Sequence, residues 1–379
     1  MRIKLYYIQY MLVTVISIQL NELTVMAQDR ALSSLPGTIR NPTLTGVLKT
    51  APDLNKLKET DRKTVTNSMD IQFNSLIQTP TMQSFKGMET RIYGYGNVAS
   101  QFQERTSTLI KAMFYPFTRQ YKTGKITPVD EAPATLSIIT NNLEKILFNI
   151  DGFWDRCNKI NFPQFFEKLP ISDSTQDYVE VKVKNWPYRI IQLNDKPIFI
   201  PLTRKEFIQF LIEESKQHLD QFKKIVKDSR KRLQEEKETL KQPLNTEMKK
   251  LHETILKNTE NGLTLWEKNV SEQEQALQKY HNDLLKMTPE DAAEGAFINY
   301  EIKGKLYDQL SPSRQKNGTP LYKVNPLYFN SKISRSAAQV IIVTYWHSTG
   351  NIAAPENIIK YTKNIFNELD YHQLKTVVK

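Results

Sequence analysis

From residue 208 onward the chain sets Ile208, Ile212, Ser215, Leu219, Phe222, Val226, Ser229, Leu233, Glu236 and Leu240 at alternating intervals of four and three. That spacing keeps all ten positions on one side of an α-helix. Seven of the ten are apolar, so the stripe must be covered by another helix. Pro243 interrupts the run, because its ring removes a backbone N–H and clashes with the preceding turn. Met248, Leu251 and Ile255 resume the stripe. After a slip across 258–262, it continues through Leu263, Trp266, Val270, Gln273, Leu277, Tyr280, Leu284 and Met287. Two arms of roughly 40 residues each predict an antiparallel helical hairpin, a coiled coil about 60 Å long. Two turn positions fit: one near Pro243, the other near Gly262 with a shorter returning helix.

The hairpin's limits are written locally. Thr203-Arg204-Lys205-Glu206 is a capping box, in which the threonine hydroxyl accepts from the Glu206 N–H and the Glu206 carboxylate reaches back to the Thr203 N–H. Leu202 and Phe207 stand where a hydrophobic staple would fix the approaching chain. At the far end, Thr288-Pro289 offers a fresh cap followed by proline at the first helical position. The insertion therefore spans 203–288.

On either side the pattern mixes periods of two and 3.6, which predicts an α+β fold, a mixed α/β body carrying an inserted hairpin. The body falls in two parts, 66–202 and 289–379. Residues 28–65, rich in Ser, Thr, Pro and Asn, read as a loosely ordered arm. Strands are expected at 91–97 and 178–183. A hairpin of 188–193 with 197–202 is expected around Asn194-Asp195-Lys196, and a fully buried strand at 338–346. The spacing of Phe102, Leu109, Ile110 and Met113 predicts a helix over 99–114, and a second helix follows Pro355. Strands within 178–202 and 297–346 are expected to share one sheet at the base of the hairpin.

The first residues set the compartment. Arg2 and Lys4 precede an uncharged, mostly apolar stretch to Leu20, and Val25-Met26-Ala27 supplies small residues before Gln28. This is the three-part pattern of a secretory signal peptide over 1–27, cleaved after Ala27. Sixteen residues rise only about 24 Å as a helix, short of a bilayer core of about 30 Å. No later stretch has the length of a transmembrane segment, so the expected product is exported, periplasmic or secreted. The chain carries a net charge of +11, which favours anionic partners. Export argues against nucleic acid as that partner. Cys157, the only cysteine, sits beside Phe153 and Trp154 and reads as a buried, inert thiol.

No catalytic, cofactor or metal motif is present. The five histidines, at 218, 252, 281, 347 and 372, include no pair four residues apart on one helix face. The glycines of Tyr93-Gly94-Tyr95-Gly96-Asn97 lack the spacing and the following Lys of a phosphate loop. His347, at the end of the buried strand, is where an exported hydrolase of glycan or peptide would keep its site. Lys223, Lys224, Lys227, Arg230, Lys231 and Arg232 crowd one stretch of the hairpin with only Asp228 opposing. They form a candidate patch for an acidic protein or an anionic envelope surface. These features favour a non-enzymatic envelope or secreted protein that binds a protein or surface through the hairpin, with the hydrolase as the alternative.

Overall fold

The computed structural model describes residues 31–97, 105–143, 146, 153–167, 171–193, 196–311, 318–349 and 354–379. The expected signal peptide, residues 99–104 of the expected helix and residues 194–195 of the expected turn lie outside them. The fold is α+β with a long helical hairpin. In chain order the strands are β1 (Thr38–Arg40), β2 (Met88–Asn97), β3 (Ser107–Arg119), β4 (Ile126–Pro128), β5 (Ala134–Thr140), β6 (Phe165–Glu167), β7 (Ile171–Ser174), β8 (Val179–Val183), β9 (Trp186–Gln192), β10 (Phe199–Pro201), β11 (Phe297–Ile298), β12 (Thr319–Val324) and β13 (Val340–His347). The helices are α1 (Leu44–Lys49), α2 (Glu59–Ile77), α3 (Pro80–Ser84), α4 (Trp154–Lys159), α5 (Arg204–Thr239), α6 (Thr246–Lys286), α7 (Pro289–Ala293), α8 (Glu356–Glu368) and α9 (Tyr371–Lys375). The chain forms two compact units, one of 1–149, 169–197 and 326–379, the other of 150–168 and 198–325.

The first unit is built on a sheet of order β1-β2-β3-β5-β13-β9-β8-β7, with β4 beside β3. β1 runs parallel to β2, and the remaining pairs are antiparallel. One face is apolar. Ile110, Ala112 and Phe114 of β3, Leu136 and Ile138 of β5, Ile191 of β9, and Ile341 and Val343 of β13 all point into a common core. Val65, Met69, Phe73 and Leu76, on one stripe of α2, join it, as do Ile358, Ile365 and Phe366 of α8. Residues 107–119 are thus strand, although the spacing predicts a helix over 99–114. The decisive pattern is the alternation Ile110, Ala112, Phe114, which buries every second side chain.

The loosely ordered arm expected over 28–65 contains β1, α1, a 3₁₀ turn at Pro52–Lys56 and the start of α2. Val47, Ala51 and Leu54 are buried against the sheet. This packing explains the glycines of β2. A Cβ on Gly94 would lie 2.8 Å from the Val47 carbonyl oxygen, and one on Gly96 would lie 2.4 Å from Leu54 Cδ2. Only glycine lets α1 and the 3₁₀ turn come this close.

At the end of β5, Asn141 adopts a left-handed conformation (φ 54°), tolerated because its side chain finds local partners. Its Nδ2 donates to the carbonyls of Thr106 and Ala337, and its Oδ1 accepts from the Gln339 N–H at 2.8 Å. The chain feeding the central strand β13 is fixed there.

Residues 188–202 do not form the expected β-hairpin. β9 lies between β8 and β13 in the large sheet, whereas β10 pairs with β12 in a second sheet. The true hairpin is β8–β9, turning at Lys184 (φ 57°) and Asn185. The strands expected to share one sheet are accordingly divided between two.

The second unit holds the four-stranded sheet of β6, β10, β11 and β12. Its core centres on four rings: Phe153, Phe165, Phe207 and Phe210, with centroids 4.5–6.4 Å apart. Cys157 is wholly buried beside them, and burial pushes its thiol up to about 12. Arg156 grips Glu214 with two hydrogen bonds of 2.6 Å. Phe207, Ile208, Phe210, Leu211 and Ile212, the opening turns of α5, belong to this same core. The hairpin therefore grows out of its unit rather than being set onto it.

Candidate functional site

The hairpin begins at the capping box. Thr203 Oγ1 accepts from the Glu206 N–H at 3.2 Å, and Glu206 Oε2 accepts from the Thr203 N–H at 3.0 Å. The other carboxylate oxygen of Glu206 receives a hydrogen bond from the Lys323 ammonium on β12. Burial alone would raise the Glu206 carboxyl, but Lys323 and the two Thr203 donors outweigh it and hold the group below the usual carboxylate range.

α5 ends at Thr239 and α6 begins at Thr246, with Asn245 capping the Met248 N–H. Of the two turn positions compatible with the sequence, the one at Pro243 is found. Gly262 lies inside α6, where one glycine costs only about 1 kcal/mol.

Three pairs of a lysine or arginine with a glutamate tie the helices together: Lys223–Glu274 at 2.8 Å, Arg230–Glu267 at 2.7 Å and Lys237–Glu260 at 3.7 Å. Each is seven residues from the next on both helices, the flanking positions of an antiparallel heptad seam. All six side chains are about half exposed, so the ladder adds little stability. Its effect is to fix which residue of α5 faces which residue of α6. The ladder was legible in principle, since both triplets recur at seven in the sequence. Only their partnership had to be discovered.

The predicted patch is thereby divided. Lys223 and Arg230 are engaged across the hairpin, and Lys231 lies 3.6 Å from Glu235 on its own helix. Lys224, Lys227 and Arg232 are exposed and have no ion pair among the described residues. Lys227 lines a cleft of about 580 Å³ between the helices, bounded by the Lys223–Glu274 and Arg230–Glu267 pairs, Val226, Val270 and Ser271. Lys223, Lys227 and Arg230 of the predicted patch line this cleft.

The hairpin seam is only partly dry. Past Leu219, Val226 is the last buried residue of α5, and Tyr280 is the one buried residue of α6. Phe222, Ile225, Leu233, Ile255, Leu256, Leu263, Trp266, Val270 and Leu277 are half covered. Phe222 and Trp266 meet across the seam with ring centroids 5.6 Å apart. Leu251 and Leu265 remain more than half exposed.

No family model, curated protein or solved structure matches this chain. The functional reading consequently rests on its own residues.

His347 ends β13 as expected. It is half-buried, stands edge-on to Trp186 with centroids 4.8 Å apart, and its Nδ1 lies 3.4 Å from the Ser348 carbonyl. Among the described residues no carboxylate lies within ion-pair distance of it. The adjoining cleft, about 280 Å³, is lined by Thr135, Ser137, Lys184, Trp186, Tyr188, Thr344, Tyr345 and Trp346, with no acid among them. Of the other histidines, His252 meets Glu236 across the hairpin at 2.7 Å, and His372 lies 3.3 Å from Asp177. Among the described residues no three of His, Cys, Asp and Glu cluster as metal ligands would, and no helix is long and apolar enough to cross a membrane.

Proposed function

We propose that this chain is an exported, non-enzymatic binding protein that engages a protein partner through the α5–α6 hairpin. One observation carries the reading: two helices of 36 and 41 residues cover each other's apolar stripe only halfway over most of its length. A two-stranded seam leaves its flanks wet. A third helix laid along Leu233, Leu256, Leu263 and Trp266 would remove that apolar surface from water at roughly 25 cal/mol per Å². The ladder holds the hairpin in one register while the flanks stay open to a partner. Lys224, Lys227 and Arg232 beside the seam suit an acidic partner face and would speed its approach.

The test is cross-linking of a tagged copy in the native cells, followed by mass spectrometry. Cross-links from 204–286 to one or two envelope proteins are the expected result, and changing Leu263 and Trp266 to serine should remove them. A monomer that captures nothing would overturn the reading and make His347 the next residue to change. Retention on vesicles rich in anionic lipid, abolished by Lys224→Gln, Lys227→Gln and Arg232→Gln together, would replace the protein partner by a membrane surface.

A further inference from the structure

The face of the large sheet turned away from α2 and α8 carries a second feature, unrelated to the hairpin. Thr344 of β13 is directly opposite both Ser137 of β5 and Tyr188 of β9, and Trp346 is opposite Thr135. Residues that face each other across antiparallel strands project to the same side. Trp186, two residues before Tyr188, shares that side. The Trp186 and Trp346 rings stand 6.2 Å apart at 50°, and Trp346 is 44% exposed. Together these residues wall the cleft of about 280 Å³, with Lys184 on its rim at the β8–β9 turn.

We propose that this cleft binds a saccharide, one or two sugar rings of a longer glycan. A pyranose offers an apolar C–H face and a girdle of hydroxyls, and the cleft offers the complement of each. The two indoles supply flat apolar surface at its open side. The hydroxyls of Thr135 and Ser137, one strand repeat apart, have no protein partner among the described residues, and each can both donate and accept. Thr344 Oγ1 donates its proton to the Pro187 carbonyl at 2.8 Å and keeps its lone pairs for a ligand.

Other ligand classes fit less well. The cleft has no carboxylate to neutralise a cation, and Lys184 on the rim repels one. An extended peptide gains its affinity by adding to a sheet edge. Here β5, β13 and β9 are all interior strands, paired on both sides. The volume lies just below the range of drug-sized sites, about 300–1,000 Å³, as suits a short stretch of a chain that continues out of the cleft.

Two of the protein's four tryptophans line the cleft, so ligand binding should register in intrinsic fluorescence. The experiment titrates the full chain with hexaoses of glucose, mannose, xylose, N-acetylglucosamine and galacturonic acid. Fluorescence and calorimetry provide the readouts, with decaproline as the competing ligand class. Saturable binding of at least one hexaose at about 1 mM or tighter is expected. Trp346→Ala should weaken it about tenfold or more. The pair Thr135→Val and Ser137→Ala, which keeps both rings, should do the same while leaving circular dichroism unchanged. The proposal fails if no hexaose binds, if binding survives both variants, or if decaproline alone occupies the cleft.

Discussion

Arg189 and Glu180 face each other across the β8–β9 pair, with Arg189 Nε 2.8 Å from Glu180 Oε2. The same guanidinium donates to the Phe366 carbonyl at 3.1 Å and to Asn367 Oδ1 at 2.9 Å. It also lies over the rings of Phe366, Tyr178 and Tyr371 at 4.2–4.8 Å. One buried cation thus pins the end of α8 to the sheet near its β7–β8 margin.

Replacing Arg189 by Met retains much of the side chain's bulk and strands Glu180 without its partner. The expected loss is about 3–5 kcal/mol in urea unfolding. Lysine should not restore it, because a single ammonium cannot reproduce the planar fork. A loss below about 1 kcal/mol would mean that the pair is screened like a surface one.

The Glu206 carboxyl is held below its ordinary range in the folded chain. Its contribution is therefore present above the unfolded value, about 4.3, and is lost as pH falls below it toward the folded value. Acid unfolding of the native chain should steepen below about pH 4, and Glu206→Gln should flatten that limb while lowering stability at pH 7. Equal acid limbs would place the pH dependence elsewhere. Thr203→Ala, which removes the other half of the box, should cost about 1 kcal/mol.

Excising residues 231–266 and closing the gap with a short Gly/Ser turn should leave cooperative thermal unfolding intact. The cut falls beyond Val226 and retains the Arg230–Glu267 pair, whose helices are already adjacent. Removal of the full 204–287 should instead unfold the second unit, because it takes Phe207, Phe210 and Leu211 out of the core. A cooperative transition in the longer deletion would refute this account of the hairpin's root.

Cys157 should resist a thiol reagent at pH 8 in the folded protein and react fully in guanidinium. Burial keeps its thiolate fraction negligible and its sulfur inaccessible. Stoichiometric labelling without denaturant would show that the core around Phe153 and Phe165 opens readily.

The hairpin and its caps were readable because their determinants are local. Thr203 needs only Glu206, and the heptad stripe needs only its own spacing. β3 was misread because Leu109, Ile110 and Met113 also fit helical spacing. The fact that Ile110, Ala112 and Phe114 share a core with β5 is not recorded within the segment. The supposed hairpin of 188–193 with 197–202 failed for the same reason, since its two strands belong to different sheets. The Trp186–Trp346 cleft was invisible for a stronger reason. Thr135, Trp186 and Trp346 come from three strands distant in sequence, and only the pairing of β13 with β5 and β9 assembles them.

The place of β13 bears on how this protein comes into being. Among the described residues it is the last strand in chain order, yet it lies between β5 and β9 and supplies the facing edge of each. The larger core cannot close before β13 is in place, since Ile341 and Val343 are part of it. Such a high contact order predicts slow, late folding of the first unit. The second unit, complete by residue 325, does not wait for β13 and is free to fold first.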